Sequence, residues 1–230
     1  MRKHRVHHAP LEPIITLSQL ESDHLRVLRV NIGDAVSVFD GTGLEAMGII
    51  EALEPLVTLR LGEIRSVNLE PPRAVTLCIA LLKGDKLADV VRGATELGVA
   101  RVQLLITDHA DAREIGAQKL ERLRRVAHEA AKQCGRNVIP SVLEPLRIRD
   151  LGAVVCGVVA HPRSSVLVRD AVKWDAPISV ATGPEGGFSH SEIAALERLG
   201  FTTVTLGVRI LRAETAPIAL LGALIAGEGF

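Results

Sequence analysis

The sequence contains no tyrosine, and its 230 residues include one tryptophan and four phenylalanines. Hydrophobic residues still make up 47% of the chain, so its core must be built mainly from Leu, Val, Ile and Ala. Neither sign of charge dominates, because 27 Lys and Arg stand against 27 Asp and Glu. Composition alone therefore gives no argument for nucleic-acid binding, and so few aromatics argue against base stacking as a dominant contact.

Few cysteines and short apolar runs argue against a disulfide-rich, metal-binding or membrane-spanning protein. Cys78, Cys134 and Cys156 form neither a close pair nor a metal-binding spacing. They fit buried thiols in a reducing compartment, so we expect a cytoplasmic protein. The longest apolar run, 216–226, is too short to span a bilayer and predicts a buried helix. The basic, histidine-rich start of the chain predicts a solvated terminus rather than a signal peptide or a metal site, and no metal is expected.

The pattern of hydrophobic and polar residues changes near Glu70-Pro71-Pro72-Arg73, a segment that is typical of a linker. Residues 1–70 form one predicted domain, which is small and rich in β-strands. Residues 74–230 form a second, in which strand and helix patterns alternate as in a mostly parallel α/β domain. Its predicted strands are 74–82, 101–107, 153–160, 178–181 and 202–206. Its predicted helices begin after Asp85, at Ala117, after Ser189 and at Pro217.

Two glycine-bearing stretches follow predicted strands of the second domain, where ligand pockets of open α/β sheets lie. The first is Gly183-Pro184-Glu185-Gly186-Gly187. It has neither the Lys nor the Ser or Thr of a Walker loop, and G-x-G-x-x-G is absent from the chain. Its glycines allow close backbone approach, and its one carboxylate suits a cationic ligand better than a phosphate. A tight turn without a ligand is the alternative.

The second stretch runs from Leu206 to Ala216. Here Arg209, Arg212 and Glu214 surround an apolar Ile-Leu pair, an arrangement that could hold a flat ring and an anion together. The alternative is an ordinary helix-entry loop with solvated arginines.

Together the two stretches resemble a known family. The run Gly-Pro-Glu-Gly-Gly, with Ser189 and Glu192 after it, and the run Leu-Gly-x-Arg-Ile-Leu-Arg-x-Glu-Thr-Ala are similar to the RsmE-type ribosomal RNA uridine-N3 methyltransferases of the SPOUT class. The resemblance covers nearly the whole chain. It also includes Lys83-Gly84-Asp85-Lys86, Thr95-Glu96-Leu97-Gly98, the run Glu129 to Arg136 with Ile139-Pro140, and His24, Leu28-Arg29, Gly33-Asp34 and Phe39-Asp40-Gly41.

The resemblance implies an α/β fold, a SPOUT trefoil-knot methyltransferase domain preceded by a small PUA-like β-barrel domain. It implies a homodimer that methylates N3 of uridine 1498 in 16S ribosomal RNA of the small subunit. S-adenosylmethionine would lie between three loops, one of them at Ala160-His161-Pro162. The implied cofactor-binding residues are Ala160, His161, Thr182, Gly183, Pro184, Glu185, Gly186, Gly187, Leu206, Gly207, Val208, Arg209, Ile210, Leu211, Thr215 and Ala216.

Methylation at N3 requires that charge on the uracil be stabilised and that a proton be removed. Arg212 is the candidate for stabilising the carbonyl oxygens. Glu214 would orient Arg212 or accept the proton, and Glu185 would face the sulfonium. The candidate RNA-binding residues are Arg2, Lys3, Arg5, Arg29, Arg113 and Arg136.

The chain departs from the family pattern at two places. Ala213 stands where Thr is expected, and the stretch 107–113 lacks an Arg-Ser pair, for which Arg113 is the substitute. Three other functions stay open at this point. They are a knotted methyltransferase for another RNA such as tRNA, a catalytically silent RNA-binding assembly factor, and a generic α/β ligand-binding domain.

Overall fold

A computed structural model describes residues 4–228, and the side chains of residues 4–226. Contacts divide the chain into two compact units. The first comprises the chain up to Glu70 together with Ala131–Ile139, and the second comprises Pro71–Ala130 and the chain from Pro140 onward. The inclusion of Ala131–Ile139 in the first unit is a feature that the sequence patterning did not indicate.

The first unit is built on a six-stranded β-sheet. Its strands β1 to β5 are ordered β1-β3-β4-β5-β2, with β6 paired to β4. Only β1 and β3 pair in parallel. The histidine-rich start of the chain was expected to be solvated. Residues 4–7 instead form strand β1, and the ring of His7 packs edge-on against Phe39. The elements are β1 His4–His7, β2 Ile14–Thr16, α1 Gln19–Val27, β3 Ala35–Phe39, β4 Leu44–Ala52, β5 Thr58–Leu61 and β6 Arg65–Ser66.

The second unit is an α/β domain around a six-stranded sheet, ordered β12-β10-β11-β7-β8-β9, in which every pair is parallel. A single turn of 3-10 helix follows β9 at Ile148–Asp150. The elements are β7 Val75–Ala80, α2 Lys86–Glu96, β8 Arg101–Ile106, α3 Ala117–Cys134, β9 Ser141–Arg147, β10 Cys156–Ala160, α4 Val168–Ala171, β11 Ile178–Thr182, α5 His190–Arg198, β12 Phe201–Val204 and α6 Thr215–Glu228.

Helices cover both faces of this sheet, as the continuous apolar strands predicted. On one face Leu77 and Ile79 belong to a cluster with α2, α3 and α6. On the other face Cys78 packs with Leu196 of α5 and Phe201. Burial raises the pKa of the Cys78 thiol to about 12, so this sulfur is protonated at neutral pH. Cys134 is exposed, which corrects the expectation that all three thiols are buried.

Most helix ends follow the sequence signals. Gly98, Gly135 and Gly200 adopt φ of 82°, 93° and 99° just beyond the ends of α2, α3 and α5. Ser189 and Glu192 form the predicted capping box. Two signals were wrong in detail. Asp85 stands at the N-cap of α2 but pairs with Arg122 instead of capping, and Pro217 is the third residue of α6 rather than the first.

Within the first unit, two arginines that were expected to bind RNA make internal contacts. The guanidinium of Arg5 donates to the carbonyl oxygens of Ala131 and Arg136 at 3.1 and 2.9 Å, and lies 4.0 Å from the centre of the Phe39 ring. Arg136 is 5% exposed, and its Nε donates to Glu70 at 3.0 Å. These contacts correct the RNA-binding assignment, because both guanidiniums are used in holding residues 131–139 within the unit. Arg2 and Lys3 lie outside the described residues.

We expect Arg136→Ala to lower the free energy of unfolding by about 3 kcal/mol, because it leaves the carboxylate of Glu70 partly buried without its ion pair. Urea denaturation followed by circular dichroism measures the change. Arg125→Ala, at an exposed position of α3, is the control and should change stability by less than about 0.5 kcal/mol. Equal stability of the two variants would contradict the structural role of Arg136.

Candidate functional site

A cavity of about 1080 Å³ lies at the carboxyl ends of three adjacent strands, β10, β11 and β12. One loop follows each strand and lines the cavity, at residues 160–163, 182–188 and 206–214. The cavity is large enough for a nucleoside-sized cofactor. Its place agrees with the rule that open α/β sheets bind ligands beyond the carboxyl ends of their strands.

Most of the predicted cofactor-binding residues line this cavity. Val208 and Thr215 do not, and Val208 is 98% exposed to solvent. The three candidate catalytic residues, Arg212, Glu214 and Glu185, all line it. The other predicted residues on the lining are Ala160, His161, Thr182, Gly183, Pro184, Gly186, Gly187, Leu206, Gly207, Arg209, Ile210, Leu211 and Ala216.

Sequence reasoning missed one wall of the cavity, which α5 provides through His190, Ile193, Ala194 and Glu197. The capping box had located this helix, but nothing in its pattern indicated which face would meet a ligand. Lys86, the first residue of α2, is a further lining residue that received no role from the sequence.

The first loop needs its glycines for steric reasons. A Cβ on Gly183 would lie 3.1 Å from the backbone nitrogen of Phe188, so the loop folds back on itself. A Cβ on Gly186 would lie 2.9 Å from the Cβ of His109. Gly187 has a φ of 71° and closes a turn by donating to the carbonyl oxygen of Pro184 at 2.9 Å. A side chain at position 186 would therefore require His109 to move, and one at position 183 would crowd the backbone at Phe188.

The stretch that departs from the family pattern packs against this loop. The backbone nitrogen of Asp108 donates to Glu192 at 2.8 Å, and the hydroxyl of Ser189 donates to the Asp108 carboxylate at 2.7 Å. The ring of His109 lies 3.2 Å from the carbonyl oxygen of Gly186. Arg113 is exposed and is not part of the cavity lining. Residues 107–109 therefore support the loop from outside.

Two of the three acidic residues that line the cavity share one cation. The ammonium of Lys86 donates to Glu185 at 2.9 Å and lies 3.3 Å from Glu214. The hydrogen bond from Lys86 lowers the pKa of Glu185, which is therefore a carboxylate at neutral pH. The same hydrogen bond raises the pKa of Lys86. No hydrogen bond or ion pair joins Glu214 to Arg212 among the described side chains, so the orientation of Arg212 by Glu214 stays a prediction.

Arg212 and Thr182 carry polar groups that have no partner among the described residues. The guanidinium of Arg212 is exposed on the cavity wall and makes no hydrogen bond or ion pair there. The hydroxyl of Thr182 is buried, with the residue 1% exposed, and also has no hydrogen-bond partner. A buried hydroxyl that lines a cavity is suited to a polar ligand. The cavity thus combines an unpaired cation, an ionised carboxylate, an orphaned hydroxyl and the apolar Ile210 and Leu211.

The described residues contain neither a candidate metal centre nor a candidate membrane-spanning helix. Over residues 4–226 no three His, Cys, Asp or Glu side chains are grouped as metal ligands would be. Within the same part of the chain, every helix is too short or too polar to cross a membrane.

Comparison with known proteins gives the family of both units. A family model described as an RNA methyltransferase domain matches residues 69–225, and one described as an RNA methyltransferase PUA domain matches residues 21–60. The expected PUA-like first domain and α/β methyltransferase second domain are thereby confirmed. The trefoil knot implied by the resemblance stays a prediction.

Individual relatives agree with these matches. The ribosomal RNA small subunit methyltransferase E of Synechocystis sp. is 38% identical over 224 residues, covering 92% of this chain and 72% of that protein. The protein of the same name from Bacillus subtilis is 30% identical, with coverages of 92% and 90%.

A solved structure of ribosomal RNA small subunit methyltransferase E from Neisseria gonorrhoeae, bound to S-adenosyl methionine, has a TM-score of 0.90 and 28% identity over 97% of both chains. A Legionella pneumophila protein described as a methyltransferase, solved with the cofactor SAM bound, has a TM-score of 0.91 and 31% identity over 98% of both chains. The chain belongs to the ribosomal RNA small subunit methyltransferase E family, as the motifs of its two glycine-bearing loops predicted.

Proposed function

We propose that this protein transfers a methyl group from S-adenosylmethionine to N3 of a uridine in 16S ribosomal RNA, with uridine 1498 as the target by family resemblance. The observation that carries the proposal is the cavity in which the loops after β11 and β12 bring together an unpaired guanidinium, two acidic side chains and a buried hydroxyl. These are groups that the reaction can use, and they come from two separate segments of the sequence.

The cavity residues fit the cofactor. Thr182 would bind a polar atom with its buried hydroxyl, and Ile210 and Leu211 would pack against the adenine ring. Glu185, ionised beside Lys86, would lie on the side of the positive sulfur. When bound, S-adenosylmethionine supplies an electrophilic methyl group on that cationic sulfur. Glycines 183 and 186 keep the loop backbone close to the ligand.

The nucleophile is the ring nitrogen of an extruded base. N3 of uridine lies on the pairing edge and carries a proton, so the target base must be unpaired when it reacts. Arg212 would donate to the uracil carbonyl oxygens as negative charge develops on them. Glu214 would accept the N3 proton, since its carboxylate is held at the cavity and does not pair with Arg212.

The RNA would be held at exposed arginines. Arg29 in the first unit and Arg113 in the second are both exposed, and they remain the candidates after Arg5 and Arg136 are assigned internal contacts. A homodimer and a trefoil knot are part of the same proposal, because the resemblance implies them.

Methyl transfer from labelled S-adenosylmethionine to small ribosomal subunits, taken from cells that lack this protein, tests the proposal. We expect label in 16S ribosomal RNA, recovered as 3-methyluridine after digestion to nucleosides. Label in another nucleoside would reject N3 of uridine as the target atom. Cofactor binding without label on subunits or free ribosomal RNA would point to another RNA, such as tRNA. A protein that binds no cofactor would be an assembly factor rather than an enzyme.

Arg212→Ala should lower kcat by about a hundredfold or more, because it removes a donor to charge that develops in the transition state. The dissociation constant of S-adenosylmethionine, measured by calorimetry, should change by less than about twofold, since the loss is confined to the transition state. Arg198→Ala removes an arginine from the exposed end of α5, outside the cavity lining, and should leave both quantities unchanged. An equal loss of cofactor affinity and kcat in Arg212→Ala would contradict the assigned role.

Arg29→Ala and Arg113→Ala should each weaken RNA binding and lower the slope of log affinity against log salt concentration by about 1, because each removes one phosphate contact. Fluorescence anisotropy with a labelled ribosomal RNA fragment at several salt concentrations measures the slope. Arg198→Ala serves again as the charge-matched control. An unchanged slope in a variant would exclude that arginine from the RNA interface.

A further inference from the structure

Lys86 lies between two of the acidic side chains of the cavity, Glu185 and Glu214. It is the first residue of α2, and its side chain reaches the cavity lining. Its ammonium makes a hydrogen bond of 2.9 Å to Glu185 of the loop after β11, and an ion pair of 3.3 Å with Glu214 of the loop before α6. One cation thus ties together two loops that would otherwise be connected through the sheet alone.

Partial burial should make this ion pair stronger than one on the open surface. The side chains of Lys86, Glu185 and Glu214 are 39%, 34% and 24% exposed, so all three are partly withdrawn from water. One carboxylate oxygen of Glu214 is buried and accepts no hydrogen bond, so the ammonium of Lys86, at 3.3 Å, interacts with it through charge. Two carboxylates held this close would repel each other if no cation lay between them.

The other charged groups around Lys86 are already paired. Lys83, in the turn before α2, forms an ion pair of 2.8 Å with Asp111 of the loop after β8. Electrostatic interaction extends from this pair to the central one, because Asp111 acts on Glu185, and Lys83 interacts with both Glu185 and Lys86. The groups that face Lys86 from the elements around it are therefore Glu185, Glu214, Lys83 and Asp111.

The pairing of Glu214 has a consequence for Arg212. The two residues are separated by one position in the loop, and both line the cavity. Arginine and carboxylate side chains form strong bidentate pairs when they meet. Here Glu214 pairs with Lys86, and the guanidinium of Arg212 has no carboxylate partner among residues 4–226.

We propose that Lys86 is a positioning residue: its ammonium fixes Glu185 and Glu214 at the cavity and keeps Glu214 away from Arg212, so that the guanidinium stays available to the substrate. The consequence for catalysis rests on the proposed function, whereas the arrangement of the charges is a property of the free protein. The two parts are tested by separate measurements.

The first measurement needs neither cofactor nor RNA. The carboxyl carbon of Glu185 is followed by NMR through a pH titration of the free protein, in wild type, Lys86→Gln and Lys83→Gln. Because the hydrogen bond from Lys86 is the largest cause of the lowered pKa of Glu185, that pKa should rise in Lys86→Gln. Lys83→Gln removes a neighbouring ammonium that makes no hydrogen bond to Glu185, and it should change that pKa less than Lys86→Gln does. An unchanged pKa in Lys86→Gln would overturn the proposal, whatever the enzyme's activity.

The second measurement is kinetic. We expect Lys86→Gln to lower kcat about tenfold while the KM for S-adenosylmethionine changes by less than about twofold, because the residue acts on the transition state through its neighbours. Lys86→Arg, which keeps the charge, should restore most of the activity, and Lys83→Gln should match wild type. Equal losses in Lys86→Gln and Lys86→Arg, or a rise in KM without loss of kcat, would show that Lys86 contacts the cofactor or RNA directly and would overturn the proposal.

The pH profile separates positioning from a merely structural role. An ionised Glu185 is required, so activity should fall as the pH drops through the pKa of this carboxyl group. Removing Lys86 raises the pKa of Glu185, and the acid limb of kcat in Lys86→Gln should therefore move to higher pH than in wild type. An acid limb at the wild-type position would overturn the proposal. If wild type transfers no methyl group to any RNA, the proposed function fails, and the NMR titration still decides how the charges are held.

Discussion

The parallel pairing of β10, β11 and β12 is the constraint on which the site depends. Because β10 lies between the other two strands and all three run in the same direction, their carboxyl ends meet at one edge of the sheet. The loops after them, which begin near residues 160, 183 and 205, are thereby brought around one cavity. The glycines of the middle loop then allow its backbone to fold tightly against Phe188 and His109. The site follows from the strand order rather than from any local motif.

At this edge a cation lies between two carboxylates, while a nearby guanidinium has no carboxylate partner among the described side chains. Lys86 lies between Glu185 and Glu214, and the guanidinium is that of Arg212. A cavity that holds a cationic cofactor beside a carboxylate, and leaves a guanidinium for an anion, can separate the two charges that methyl transfer to a uracil nitrogen involves. The two contacts of Lys86 also connect α2 to the loops after β11 and β12.

Local features of the sequence predicted local structure well. The bounds of α3 and the capping box of α5 were recognised because their glycine and serine signals act within a few residues. Contacts between distant residues were not predictable. No sequence signal near Asp85 indicates that it pairs with Arg122, and Lys86 pairs with Glu185 although the two positions differ by 99 residues. The strands β1 and β9 were missed because charged residues and Pro145 interrupt their alternation, and pairing with neighbouring strands decides their conformation. Family motifs located the cavity loops, but the internal roles of Arg5 and Arg136 required coordinates.

A crystal structure of the protein with S-adenosylmethionine tests the central claim most directly, because the claim concerns where the ligand lies. The account predicts the cofactor inside the cavity bounded by residues 160–163, 182–188 and 206–214, with Thr182 within hydrogen-bond distance. Lys86 should still bridge Glu185 and Glu214, and Arg212 should remain without a carboxylate partner. Cofactor bound elsewhere on the protein, or a Glu214 that has turned to pair with Arg212, would contradict it.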